Sequence, residues 1–183
     1  MTHVRRDELV DYVTWEEDLR PAQRPDILAA KELRRVVIGP LTFLFENPDT
    51  IRYQVQEMMR VERIVREKDI QHELDTYNDL LGGEGEFGVT LLISVQGEAE
   101  RAVKLREWMG LLPTLYAEKS DGTRVRASWD ERQVGTDRLS SVQYLKFAVG
   151  EAPVAMGCEM PDVEGRLELS AETQAALAED LAR

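Results

Sequence analysis

The sequence predicts an α+β fold in which a mostly antiparallel sheet of about five or six strands is covered by helices, with a helical pair at residues 50–81. Two observations support this class. Segments with helical periodicity and segments with strand-like alternation occur in separate clusters, and tight-turn residues join several of the strands. The chain contains no internal repeat and no long linker, so we predict a single domain over residues 1–183.

Helical periodicity predicts the helices, and capping residues mark their starts. Thr14 and Glu17 have capping-box spacing, and two prolines that follow are expected to interrupt this first helix. Asp26 opens the next segment, Asn47 precedes a proline, and Ser170 is the expected cap of the terminal segment. After Thr14, the helical segments cover residues 26–35, 50–67, 69–81, 97–110 and 169–182. Because two of them follow each other directly, we expect a helical hairpin or one bent helix.

Alternating apolar side chains and β-branched residues predict the strands. Leu41, Phe43 and Phe45 share one face of their segment, which is typical of a strand with one buried side. Asp121 and Gly122 suit a tight turn that needs positive φ, so a hairpin is expected around them. The strand segments cover residues 36–38, 41–46, 86–95, 113–129, 140–149 and 153–159.

Composition excludes several classes of protein. Lys and Arg number 23 against 35 Asp and Glu, and the net charge of −12 repels phosphate backbones, so no nucleic-acid partner is expected. Apolar runs are far shorter than a membrane helix and the N-terminus does not resemble a secretory signal, so we expect a cytoplasmic protein with no membrane partner. Cys158 is the only cysteine, which excludes an internal disulfide and a cysteine-held iron–sulfur cluster.

No complete catalytic motif is present, so we favour a non-catalytic protein. The chain lacks a Gly-x-Ser-x-Gly elbow. The glycine-rich stretch at 82–88 precedes a strand and lacks the Lys-Ser/Thr of a phosphate-binding loop. We interpret this stretch as a mobile connector that could act as a lid over a pocket beside the helices.

The first helix of the predicted pair carries two carboxylates that point in different directions. At 100° per residue, Glu62 falls within an apolar stripe that runs from Ile51 to Val65. We therefore expect Glu62 to be buried as part of a structural polar core, paired with Arg66 four residues later. Glu57 lies on the polar flank, where it is the better candidate for contact with a partner.

A divalent metal site is an alternative use of these carboxylates. A carboxylate-bridged centre in a helical bundle needs Glu from two helices and Glu-x-x-His from two others. The chain has two histidines, and Asp69 with His72 is the only acid–His pair at this spacing. If the two helices fold back, the side chains that would converge are Glu57, Glu62, His72 and Glu73. Apart from this alternative, no cofactor is predicted.

Two blocks, YQVQEMMRVE at 53–62 and ELDTYN at 73–78, resemble the signature of the bacterial family called domain of unknown function 3501. The resemblance extends over nearly the whole chain. Genes of that family neighbour those for rubrerythrin-like proteins and iron–sulfur oxidoreductases, which implies a redox setting. Where relatives are expected to carry Asp-His-Pro, this chain has Glu159-Met160-Pro161, so it lacks a histidine ligand there. The residues that match the family pattern are Tyr53, Gln54, Gln56, Glu57, Arg60, Glu62, Glu73, Tyr77 and Asn78.

Three functions are therefore considered. The first is a non-catalytic adaptor that docks on a redox protein, either a rubrerythrin or an iron–sulfur oxidoreductase, through the polar face of helix 50–67. The side chains expected to bind are Tyr53, Gln54, Gln56, Glu57, Arg60, Glu73 and Asn78. The second is a metal-binding protein or enzyme with the carboxylate–histidine site. The third is a small-molecule binding module with a pocket between the sheet and the helices.

Overall fold

The computed structural model describes residues 1–183 and combines helices with eight strands. The helices are α1 (Tyr12–Thr14), α2 (Arg20–Glu32), α3 (Pro48–Glu62), α4 (Glu67–Asn78), α5 (Glu98–Glu107) and α6 (Ala171–Leu181). The strands are β1 (Arg35–Ile38), β2 (Leu41–Glu46), β3 (Phe87–Ile93), β4 (Leu115–Glu118), β5 (Arg124–Arg126), β6 (Val142–Phe147), β7 (Ala155–Cys158) and β8 (Gly165–Glu168). The predicted α+β class is confirmed.

The strands form two antiparallel sheets rather than one sheet of five or six strands. The first sheet has the order β1-β2-β3-β6, and the second has the order β5-β4-β7-β8. Strand β8 was not predicted from the sequence. It is an edge strand whose side chains are mostly exposed, so it lacks the buried alternating face by which a strand is recognised.

One apolar core receives side chains from both sheets. Leu41, Phe43 and Phe45 of β2 are fully buried in it, as the alternation predicts. Leu115 and Met156 enter the same core from the second sheet. The inner faces of the two sheets therefore meet in one shared core.

The opposite face of the first sheet carries a second set of side chains. Leu44 of β2 lies beside Thr90 of β3, which lies beside Tyr144 of β6. In the next row Glu46 lies beside Gly88. We call this surface the outer face of the first sheet, and part of it is covered by helices.

Helices α3 and α4 form the predicted pair and enclose a second apolar cluster. Asn47 caps α3, because its side chain accepts a hydrogen bond from the Thr50 N–H at 2.9 Å, and Pro48 follows at the first position. Helix α3 ends at Glu62, because the next residue, Arg63, has a left-handed backbone conformation with a φ of 52°. The cluster consists of Val4, Leu9, Ile51, Val55, Met59, Ile70, Leu74 and Leu81.

The N-terminal helix begins earlier and extends further than the sequence predicts. Asp11, not Thr14, caps it and accepts hydrogen bonds from two backbone N–H groups at 3.0 Å. A π-helical turn at Trp15–Leu19 follows α1, and α2 then continues through Pro25. The π-turn changes the hydrogen-bond spacing just before the prolines, and burial of Trp15 holds the segment against α3. None of the helices has the length and apolar composition that crossing a membrane requires.

Candidate functional site

Two of the candidate binding residues hold the N-terminal segment in place. The Gln56 side chain accepts from the Val10 N–H at 2.8 Å and donates to the Val10 carbonyl at 3.3 Å. The Asn78 side chain bonds Val4 in the same way, with both distances 2.9 Å. Each amide thus satisfies a backbone donor and acceptor that would otherwise lack partners. Neither side chain is free to bind a ligand.

Glu57 takes part in an internal ion-pair network, and its side chain is only 17% exposed. Arg20 donates to its two oxygens at 2.8 and 3.2 Å, and Trp15 Nε1 donates at 2.9 Å. Arg60 also donates to both oxygens, at 3.2 and 3.3 Å. Burial alone would raise the pKa of Glu57, but these hydrogen bonds outweigh it and hold the pKa at about 2.

The remaining residues of this flank are also covered by the N-terminal helix. Tyr53 is buried, meets Trp15 edge to face at 6.0 Å, and has the Lys31 ammonium 5.6 Å from its ring centre. Arg60 reaches Glu16 at 3.5 Å in addition to Glu57. The polar flank of α3 is therefore largely an internal contact between two helices, and Tyr53 and Gln56 help to line a cavity of about 330 Å³ that remains between them.

The expected burial of Glu62 and its pairing with Arg66 are wrong. Both residues are exposed, and Arg66 instead pairs with Asp69 at 2.9 Å. The physical reason is that α3 ends at Glu62, so the two residues do not lie on one continuous helix. Val65, at the end of the predicted stripe, is 71% exposed for the same reason.

The four proposed metal ligands are not brought together. Glu57 forms salt bridges with two arginines, and Glu62 lies at the exposed end of α3. His72 faces solvent, and Glu73 is half-buried. No group of three or more His, Cys, Asp or Glu side chains in the chain is arranged to hold a metal ion.

Two further side chains of the sequence signature face a different region, which we call the outer-sheet cleft. This cavity of about 230 Å³ lies between the outer face of the first sheet and helices α3 and α4. Gln54 enters it from α3 and Tyr77 from α4, and the Gln54 amide nitrogen lies 3.5 Å from the Tyr77 hydroxyl. The polar side chains of the lining are Lys31, Glu46, Gln54, Tyr77, Thr90 and Tyr144.

Glu46 is the buried carboxylate of this cleft, with 9% of its surface exposed. The Thr50 hydroxyl donates to one of its oxygens at 2.5 Å, and the Thr90 hydroxyl donates to the other at 2.7 Å. Thr50 also completes the cap of α3, so the start of that helix fixes the carboxylate. Sequence reasoning missed Glu46 because nothing in a single strand shows that helices cover its outer face. The usable sequence signal was Thr50, which lies four residues after Glu46 and belongs to the capping box of α3.

A second cavity of about 380 Å³ adjoins the cleft, and the two share Leu80 and Tyr144. Its lining includes Trp129 and Lys146. The Lys146 ammonium already has one hydrogen-bond partner, because it donates to the Leu81 carbonyl at 3.1 Å. Leu80 and Tyr144 therefore separate two parts of one longer depression.

The glycine-rich stretch at 82–88 is held at both ends rather than free to swing as a lid. A side chain at Gly88 would place its Cβ 1.6 Å from the Leu80 carbonyl oxygen, and one at Gly82 would lie 2.0 Å from the Glu86 carbonyl oxygen. Between them, Gly85 accepts from the Gly150 N–H at 2.8 Å. These glycines permit close backbone approach, which brings the end of α4 down onto β3.

Comparison with known proteins places the chain in a family. No curated protein sequence matches it. It is similar to the crystal structure of a novel protein of unknown function from Burkholderia pseudomallei K96243, with 29% identity, a TM-score of 0.88 and coverage of 98% of this chain and 99% of that one. A family model matches residues 3–181. The chain therefore belongs to the family described as protein of unknown function (DUF3501).

Proposed function

We propose that the protein is a binding module for a small organic molecule, which occupies the outer-sheet cleft. One observation carries this proposal. Gln56, Glu57 and Asn78 bond other parts of the chain, whereas Gln54 and Tyr77 meet only at 3.5 Å and present their polar groups to a cavity. A concave site with apolar walls and a few convergent polar groups is typical of ligand pockets.

The size of the cleft favours a small ligand. Its volume of about 230 Å³ lies below the usual range for drug-sized molecules, and the adjoining cavity of about 380 Å³ lies within it. A ligand that passes between Leu80 and Tyr144 could use both. The apolar lining would supply the free energy of binding, and the polar groups would set the orientation.

A fragment screen by NMR tests this proposal, with the amide shifts used to locate each bound fragment. We expect the fragments to collect in the outer-sheet cleft. Gln54→Trp should block them, whereas Val61→Trp, at an exposed position on the same helix, should not. Two other cavities serve as internal comparisons: one of about 330 Å³ beside Trp15 and one of about 530 Å³ beside Arg101. Binding that prefers either of these over the cleft would refute the proposal.

The adaptor role is a second proposal, favoured by one observation. Val61 and Val65, at the turn between α3 and α4, are 64% and 71% exposed, more than any other large apolar side chain. A redox partner that docks on residues 50–67 would cover this turn rather than the flank of α3 around Glu57, which is already in contact with the N-terminal helix. Co-purification with a tagged rubrerythrin or iron–sulfur oxidoreductase tests it. Recovery that is equal for the native chain and for Val61→Asp would contradict docking at this turn.

A further inference from the structure

We propose that the ligand of the outer-sheet cleft is an organic cation, a primary amine whose ammonium group lies against the carboxylate of Glu46. This inference rests on the proposed function of the cleft. It starts from a comparison of Glu46 with the other buried carboxylates of the chain.

The chain has three buried carboxylates, and two of them have an arginine partner. Arg166 donates to both oxygens of Glu118 at 2.6 and 3.0 Å. Arg34 donates to both oxygens of Asp180 at 2.6 and 2.9 Å. Glu46 has only hydroxyl donors and no ion pair within 4.0 Å. A buried charge without an opposite charge is costly, so Glu46 is the carboxylate that a cation would stabilise most.

Glu46 also has unused hydrogen-bonding capacity. A carboxylate can accept about four hydrogen bonds, and Glu46 accepts one on each oxygen. An ammonium group brings three donors and a positive charge, which match the unused acceptor positions and the negative charge of Glu46. Because the two threonine hydroxyls fix the carboxylate in place, it needs no rearrangement to receive such a group.

Aromatic side chains near Glu46 add to the preference for a cation. Tyr77 and Tyr144 both line the cleft, and the face of an aromatic ring attracts cations within about 6 Å. Partial burial raises the pKa of Tyr144, with smaller contributions from Tyr77 and Glu46. Both groups therefore disfavour ionisation of the Tyr144 hydroxyl.

Lys31 is the internal competitor for Glu46. It lines the same cleft, but its ammonium lies over the Tyr53 ring, 5.6 Å from the ring centre, and forms no ion pair with Glu46. If Lys31 served to neutralise Glu46, its removal would free the carboxylate but would also weaken the fold. If a ligand serves that purpose, removal of Lys31 takes away a like charge at the site.

Three probes of matched shape separate charge from apolar contact. They are 2-phenylethylamine, 2-phenylethanol and 3-phenylpropanoate, titrated at pH 7 and low salt with NMR detection. We expect the amine to bind at least about tenfold more tightly than the alcohol, and the carboxylate to bind most weakly. In Glu46→Gln this advantage should disappear. In Lys31→Gln the amine should bind as tightly as before or more tightly.

The outcomes distinguish this inference from the proposed function. Equal binding of amine and alcohol in the cleft would refute the inference that the ligand is a cation, and so would an amine advantage that survives Glu46→Gln. Either result would still leave the cleft as a binding site. Fragments that bind only elsewhere overturn both. The melting temperature of Glu46→Gln is the folding control. It should be unchanged or higher, because the substitution removes an unpaired buried charge, and a clear decrease would show that Glu46 serves the fold instead.

Discussion

Glu57 and Glu62 lie on the same helix, but only Glu57 has a second helix packed over it. Helical geometry alone assigns Glu62 to the apolar side and Glu57 to the solvent. In the structure, Trp15 and Arg20 cover Glu57, whereas the helix ends at Glu62. Glu57, with its two arginine partners, is therefore the carboxylate expected to support stability.

Glu57→Gln should destabilise the protein, whereas Glu62→Gln should have little effect. The substitution leaves Arg20 and Arg60 without their shared partner, and hydrogen bonds to charged groups each contribute roughly 1.5–3 kcal/mol. For a chain of this length, such a loss lowers the melting temperature by roughly 2–4 °C for each kcal/mol. Thermal melts of the two variants measure the difference. An equal or larger decrease for Glu62→Gln would contradict the assignment.

The ion pairs of Glu57 with Arg20 and Arg60 should account for part of the loss of protein stability in acid. The folded pKa of Glu57, about 2, lies below the ordinary value of 4.5, so its contribution is complete above about pH 4.5 and is lost as the pH falls toward 2. This contribution is on the order of 3 kcal/mol. The stability difference between the native chain and Glu57→Gln should therefore shrink across this window. A difference that stays constant to pH 2 would argue against the ion pairs.

At the level of elements, Gly88 determines how α4 meets the first sheet. Gly88 lies beside Glu46 in the sheet, and the carbonyl of Leu80 approaches it where a side chain would otherwise stand. Leu80 in turn lines both cavities of the outer face. The shape of the outer-sheet cleft thus depends on a position where any side chain would force the end of α4 outward.

Gly88→Ala should destabilise the protein and disturb the cleft. Its Cβ would lie 1.6 Å from a backbone oxygen, so the end of α4 must shift, and overpacking of this kind costs about 1–3 kcal/mol or more. Gly110→Ala is the matched control, because a Cβ there meets nothing within 4 Å. Denaturant unfolding measures the stabilities, and the Tyr144 amide shift measures the disturbance. A loss no greater than that of Gly110→Ala would show that the contact is unimportant.

At the level of the whole molecule, a buried ion pair joins the last helix to the first part of the chain. Asp180 of α6 is almost fully buried and receives both Arg34 bonds, and the Asn47 amide donates to it at 2.9 Å. Arg34 follows α2, and Asn47 caps α3. The position of α6 is therefore coupled to the helix cap that holds Glu46 in place.

Asp180→Ala should be among the most destabilising single substitutions in the chain. It leaves the Arg34 charge buried without a partner, and breaking a buried pair in this way costs about 3–5 kcal/mol. The double substitution Arg34→Met with Asp180→Leu should recover a large part of that loss, because it removes both charges. Denaturant unfolding of the single and double variants measures the two values. A double variant as unstable as the single one would show that packing, and not the unpaired charge, causes the loss.

The sequence by itself determined what depends on near neighbours. The α+β class, the caps at Asn47 and Ser170, the buried face of β2 and the family all follow from patterns within a few residues, because periodicity and capping are local interactions. Helices α3 and α4 were predicted for the same reason, although the residues at which they end were not predicted correctly.

Only the tertiary structure decided which polar groups are covered. Arg20 lies far from Glu57 in sequence, and Thr90 lies far from Glu46, so neither pairing leaves a local signal. Edge strand β8 and the division into two sheets depend likewise on long-range strand pairing. Burial of a charge is decided by the elements that pack over it, which is why the local position of Thr50 could not by itself show that the strand-end carboxylate of the cleft is covered.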